Sequence, residues 1–258
     1  MSPTPPPPQS PPLASAPRRL PVMGLIVDAV TLDDSIARIG HWIADARHHA
    51  TGPRDDGTPA RQVVTLNPEM VMVAHRDAAF RAILRAADLV TADGVGIVLA
   101  ARLRGARLPA RLPGVELLES LSAVAAAHAW RLFLLGAAPG VAEAAAAALE
   151  RRHPGLRIAG TFAGSPSSTD DAVARARIQA ARADLVFVAY GAPAQERWIA
   201  RNRGRLTAAV AIGIGGAFDF AAGRVPRALR WMRRLGLEWL FRLLHQPWRW
   251  RRMLALPG

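Results

Sequence analysis

LFLLGAAPGVAEAAAAALERR (132–152) decides the fold. Four consecutive apolar residues end in a glycine, a short Ala-Ala-Pro turn follows, and from Gly140 to Arg152 the chain is nearly all Ala and Glu. A short apolar run stopped by Gly reads as a buried strand, and Ala is the strongest helix former, so this stretch is a strand–turn–helix unit. Working outward, apolar runs at 22–27, 63–66, 89–91, 157–161, 185–189 and 209–214 each precede a segment of helical period. Strands that alternate with helices build a parallel sheet wrapped on both faces. The expected architecture is therefore α/β: a Rossmann-like, mostly parallel sheet flanked by helices, with a basic amphipathic helical appendage at the C-terminus. Pro68 suits the first turn of a helix running to Ala87. Thr169, in SPSSTDD (165–171), stands where it caps the helix that follows, and HHATGPRDDGTPA (48–60) reads as a polar loop.

With 51% hydrophobic and 21% charged residues among 258, the chain buries a full core, which excludes a wholly disordered or fibrous protein. The absence of cysteine removes disulfide scaffolds, thiolate nucleophiles and Cys-ligated zinc, and fits a cytoplasmic compartment. Charged residues interrupt every apolar run before it reaches a spanning length of about 18 residues. MSPTPPPPQSPPLASAPRRL (1–20) lacks the apolar centre of a signal peptide and reads as a disordered Pro-rich tail. Residues 21–223 then form the α/β domain, and 224–258 the appendage.

Every one of the 33 cationic side chains is Arg, and against 20 acids they give a net charge of +13. Much of that excess lies in 224–258, which carries nine Arg against one acid, Glu238, together with Trp231, Trp239, Trp248 and Trp250. Such a segment is a membrane-surface element or an anion-binding lid; a packed terminal helix with solvated Arg is the plainer alternative. Met232, Leu235, Trp239, Leu240 and Leu243 follow the i, i+3, i+4 pattern of one apolar stripe, which meets anionic lipid, the domain itself, or a second copy in a homo-oligomer.

In an open α/β sheet, ligands sit beyond the carboxyl ends of the strands. Those ends run into Asn67-Pro68, Asp93-Gly94, Gly136, Tyr190-Gly191 and Gly215-Gly216. GVGIVL (94–99) and GIGGAF (213–218) both lack the third glycine of the dinucleotide fingerprint, so a nicotinamide site is not expected. GAAPGVAE (136–143) opens a helix directly after a strand, where backbone amides receive a phosphate, or simply make a turn. Asp93 either presents a carboxylate to the crevice or forms an Asp-Gly turn. Arg111, held between Pro109 and Pro113, suits a diphosphate, and Gln195 in GAPAQERW (191–198) reaches toward a ligand hydroxyl. Glu196 in that same first helical turn favours the helix dipole. The acid pairs 33–34, 55–56 and 170–171 and the His48-His49 pair lack metal-ligand spacing, so no metal is expected.

Together, VVTLNPEMV (63–71), ADGVGIV (92–98), RLPGVELL (111–118), FLLGAAPGVAE (133–143), GAPAQERW (191–198) and GGAFDFAAG…RAL…GLEWLFRL (215–243) resemble the WecG/TagA/CpsF family, glycosyltransferase family 26. The likeness spans roughly residues 22–253 with the blocks in order. It implies inverting, metal-independent transfer of a sugar from a UDP-sugar to an undecaprenyl-diphosphate-linked saccharide at the cytoplasmic membrane face. The sugar implied is N-acetylmannosamine, its uronic acid, or glucose. It also implies Asp93 as general base and Thr65, Asn67, Arg111 and Gln195 as donor-binding residues. Glu116 stands where the family more often has Asp, Leu112-Pro113 where Val or Ile and Thr are usual, and Ala194 where Lys is common.

Inverting transfer requires a base for the acceptor hydroxyl, tolerance of an oxocarbenium-like centre, and stabilisation of the departing diphosphate. Without a metal or other cofactor, fixed cations and amides take the last task. Arg224, Arg227 and Arg230, three apart along one helical side, are expected to close over the diphosphate. The alternative from another class is a non-catalytic basic protein bound to membrane or nucleic acid through its Arg-rich end. Nucleic acid is disfavoured because the Arg are interleaved with Leu and Trp.

Overall fold

The computed structural model describes residues 16–49 and 58–228, with Met232 and Phe241. The Pro-rich segment 1–15, Arg230 and nearly all of the C-terminal appendage lie outside the described residues.

The core is a six-stranded, all-parallel sheet: β3 (Arg61–Leu66), β4 (Leu89–Ala92), β5 (Arg131–Gly136), β6 (Arg157–Phe162), β7 (Leu185–Ala189) and β8 (Val210–Gly213). Their spatial order is β4-β3-β8-β7-β5-β6. The Rossmann-like α/β expectation holds, and the reason is visible in burial. β4, β7 and β8 are buried at every position, and β3 at all but Arg61, because helices cover both faces. One face carries α1 (Leu32–His49), α5 (Gly114–His128), α6 (Val141–Arg152) and α9 (Ala217–Ala221) over Val63, Leu134, Phe187 and Ile212. On the other face α2 (Pro68–Arg76), α3 (Ala78–Arg85) and α4 (Val95–Leu103) cover Val64 and Val90, while α7 (Asp171–Ala180) and α8 (Ala194–Asn202) cover Phe133, Val186 and Ala211.

Strand order reverses at the middle of the sheet. From β3 the chain steps outward to β4, crosses to β5 and β6, then works back through β7 to β8 beside β3. The helix after β3, α2, covers one face of the sheet and the helix after β8, α9, covers the other. The chain therefore leaves these neighbouring carboxyl ends in opposite directions, the place where α/β sheets hold ligands in a crevice.

Four local expectations fail. Residues 22–27 are not one strand but part of a hairpin, β1 (Arg19–Val22) with β2 (Leu25–Asp28), outside the main sheet. Met23 and Gly24 have φ of 51° and 78°, the two positive values of a tight hairpin turn whose twist matches its strands. The helix expected over 68–87 is two helices, because Asp77 is extended and its Oδ1 accepts from Phe80 N at 2.8 Å, capping α3. Thr169 does not cap α7: a 3₁₀ turn, Ser168–Asp170, intervenes, and Ser167 Oγ accepts from Thr169 N. The polar loop also starts later than expected, since α1 reaches His49.

Candidate active site

Asp93 follows β4 directly and its backbone N–H donates to Leu66 O at 2.7 Å, so the last residue of β3 fixes where this half-buried carboxylate stands. Next to Leu66, Asn67 caps α2: its Oδ1 accepts from Met70 N at 3.0 Å. The starts of α2 and α4 press together here; a Cβ on Gly96 would sit 3.0 Å from Pro68 Cγ. Leu112 N donates to Ala92 O at 2.7 Å, which brings the Arg111 loop to the same strand end. Asn67, Asp93 and Arg111 thus share one rim because β3 and β4 are in register and both loops bond back to them.

Arg111 Nη2 lies 3.9 Å from Glu116 Oε1, and Arg227 Nη2 lies 3.7 Å from that same oxygen. All three side chains are half-buried, and the carboxylate holds the two guanidiniums together, with Arg227 Nε and Nη2 themselves buried. Arg224 stands over the turn after β5: a Cβ built on Gly140 would be 3.6 Å from its Nη2. Three cations therefore border the crevice, one above a helix N-terminus, an arrangement suited to a multiply charged anion. The helical spacing expected for Arg224 and Arg227 does not occur. α9 ends at Ala221, and residues 224–228 are irregular around Pro226, which has no amide hydrogen to continue a helix.

Beneath the rim, Thr65 and Gln195 are buried and hold the floor. Thr65 Oγ1 donates to Gly213 O at 3.0 Å, tying β3 to β8. Gln195 Oε1 accepts from Gly215 N at 2.9 Å, while its Nε2 donates to Glu196 Oε1 at 2.7 Å. An amide N–H only donates, so Gly215 fixes the orientation of the Gln195 carboxamide. Glu196 Oε1 must then accept, and any proton on Glu196 sits on Oε2. That oxygen is buried with no hydrogen-bond partner among the described residues. Burial pushes the Glu196 carboxyl from 4.5 up to about 7, against the lowering effect of its Gln195 hydrogen bond. Only glycine fits at 213, where a Cβ would lie 2.7 Å from both Gln195 Nε2 and Glu196 Oε1.

The matching family model is the glycosyl transferase WecG/TagA/CpsF family, over residues 20–258. The chain belongs to that family. Over 195 residues it is 38% identical to a Bacillus subtilis (strain 168) protein named N-acetylglucosaminyldiphosphoundecaprenol N-acetyl-beta-D-mannosaminyltransferase, covering 76% of this chain and 75% of the relative. A Bacillus spizizenii protein of the same name is 40% identical with the same coverage, and one from Staphylococcus aureus (strain MW2) is 34% identical over 76% of each.

Within this WecG/TagA/CpsF member the structure gathers Asn67, Asp93 and Arg111 at one rim, places Arg224 and Arg227 at its border, and puts Thr65 and Gln195 under it. Sequence reasoning missed Glu196 and Glu116. In the sequence Glu196 reads only as a helix-dipole carboxylate, and its burial depends on the missing side chain at the distant Gly213. Glu116 was visible as a departure from the family pattern, and its place between two Arg follows from a contact across more than a hundred residues. Among the described residues no three His, Asp or Glu converge to hold a metal ion, and no helix is long and apolar enough to cross a membrane.

Proposed function

We propose that this chain is an inverting glycosyltransferase that moves N-acetylmannosamine from its UDP-sugar to undecaprenyl-diphosphate-linked N-acetylglucosamine, without a metal. The observation that carries this is the shared name of relatives at 34–40% identity that the chain covers over about three quarters of their length. The uronic acid of that sugar and glucose are the other donors the family resemblance brings. In the transfer, the acceptor hydroxyl oxygen attacks the anomeric carbon, the bond from that carbon to the diphosphate breaks, and UDP leaves with the electron pair. Asp93 takes the hydroxyl proton. Arg111, Arg224 and Arg227, joined by Arg230, balance the charge that develops on the diphosphate. Asn67 orients the donor, and Thr65 and Gln195 act from beneath by fixing the β3 and β8 ends around it. Residues 224–258 bring the enzyme to the inner face of the plasma membrane as a peripheral protein in cell-surface polysaccharide synthesis.

The test is a radiolabel transfer assay on the full chain, with prenyl-diphosphate N-acetylglucosamine as acceptor and a panel of UDP-sugars, run in chelator. Product from UDP-N-acetylmannosamine that survives chelator and disappears with Asp93→Asn is expected. Binding to vesicles with no product from any donor or acceptor would leave the non-catalytic membrane-binding alternative.

A further inference from the structure

Helix α4 begins two residues after Asp93, with Gly94 as its cap, and turns one row of apolar side chains to solvent. Ile97 and Ala101 pack inward and are fully buried. Val95, Leu99 and Leu103, at i, i+4 and i+8, are 42%, 54% and 80% exposed. Spacing of four keeps all three on the outer face of the helix. A single exposed Leu is ordinary on a protein surface, but three in line on one short helix are not. Among the described residues only two other large apolar side chains, Met23 and Val173, are comparably exposed.

Charge along the helix and the loop that follows it is of one sign. Arg102, Arg104 and Arg107 are exposed and make no ion pair among the described residues, and no acid occurs between Asp93 and Glu116. An apolar helix face edged by unpaired Arg fits a surface that is apolar below and anionic above. A second copy docked through this face would bring two acid-free Arg clusters into one interface, which like-charge repulsion opposes.

We propose that α4 is a membrane-docking face of the α/β domain itself, separate from the C-terminal segment, and that it lies flat on an anionic bilayer. Val95, Leu99 and Leu103 enter the interfacial region while Arg102, Arg104 and Arg107 meet lipid phosphates. Docked this way, the amino end of α4 holds Asp93 near headgroup level, the depth at which the diphosphate of a lipid-linked acceptor is found. That last consequence rests on the proposed function; the docking does not.

Because the chain has no cysteine, one introduced thiol labels a single site. Leu99→Cys and Leu103→Cys, made in the full chain and carrying an environment-sensitive dye, are mixed with vesicles of phosphatidylcholine and phosphatidylglycerol. Emission at both sites is expected to shift blue and rise about threefold or more, whereas the dye at Val173→Cys on α7 stays unchanged. The Arg102→Gln/Arg104→Gln/Arg107→Gln variant should lower the response at Leu103→Cys severalfold. No response at 99 and 103, an equal response at 173, or an equal response on phosphatidylcholine alone would overturn the proposal. So would a blue shift without vesicles that grows with protein concentration, which would assign the face to a second copy. None of these readouts involves turnover, so failure of the transferase assignment and failure of α4 docking are separately visible.

Discussion

The two edges of the central sheet treat carboxylates in opposite ways. At the amino edge, Asp184 precedes β7 and accepts from Arg47 Nε and Nη2 at 3.0 and 2.7 Å and from Arg131 N at 2.7 Å. Asp88 precedes β4 and is held by Arg61 Nη1 at 2.9 Å, Arg203 Nη2 at 2.6 Å and Gln62 N at 2.9 Å. Both oxygens of each carboxylate accept from donors, and the result is a set of clamps between distant parts of the chain. At the carboxyl edge, Asp93 stands half-buried on the rim, and Glu196 is fully buried beside Gly213 with one oxygen lacking a partner among the described residues. Carboxylates at the first edge stabilise the fold; at the second, burial pushes the Glu196 carboxyl up, and a buried polar group left without a partner marks a place where something besides stability is at work.

Changes at the carboxyl edge should therefore strike turnover or proton binding, and Asp93→Asn is the largest. Loss of the general base proposed above should lower kcat/KM by about 10²–10⁴-fold. Donor affinity and melting temperature should hold, because Asn keeps the size of the side chain and the Leu66 O bond comes from the backbone. Retained turnover in the transfer assay would move the base elsewhere on the rim.

Glu196 makes the next largest difference, and it appears in stability. Its folded pKa, about 7, is above the unfolded 4.5, so the folded state binds the extra proton between those values. Stability should be full below about pH 4.5, decline as pH rises toward 7, and level off above, a loss on the order of 3 kcal/mol at 1.36 kcal/mol per pKa unit. Glu196→Gln keeps the oxygen that accepts from Gln195 and removes the titration. The difference between wild type and variant, followed by urea unfolding from pH 4 to about 8, should carry that slope. Parallel curves would show that the Glu196 site is wet enough to ionise freely.

Much of the fold was legible because it rests on local pattern. VVTLNP shows its strand, its stop and its helix start within six residues, and LFLLG ahead of an Ala-Glu run does the same. The hairpin was hidden because Met23 is not a turn-forming residue, so Val22–Val27 looks like one apolar run. Asp77 sits inside an otherwise helical period, and only its extended backbone shows two helices. At the site, Asp93 and Arg111 could be found from strand ends and proline stiffness. The Gln195–Glu196 floor could not, since a polar helical turn is buried only because β8 offers Gly213 beneath it. Nor could the meeting of Arg224 with Gly140, which follows from how α9 packs on α6.

That last meeting gives a smaller effect of a different kind. Arg224 is exposed and borders the turn after β5, so Arg224→Ala should leave the fold intact and weaken donor binding. One charged hydrogen bond to a diphosphate corresponds to roughly a tenfold rise in KM. A fall in kcat with KM unchanged would instead place Arg224 on the transition state alone, and no effect would remove it from the diphosphate.

The smallest change belongs to the amino edge and bears most directly on the contrast between the two. Arg47 also donates through Nη2 to Ala129 O at 2.9 Å, so it binds α1 to the end of α5 as well as to Asp184. Its side chain is 39% exposed, which discounts the ion pair, and Asp184 keeps the Arg131 amide and a guanidinium 3.6 Å away when Arg47 is removed. Arg47→Ala should thus cost about 1 kcal/mol, a fall of roughly 2–4 °C in melting temperature. Its kcat and KM should match wild type, because no bond of Arg47 reaches the rim. If Arg47→Ala slows transfer as well, the sheet transmits strain from one edge to the other. The clamps would then belong to the active site's geometry rather than to stability alone.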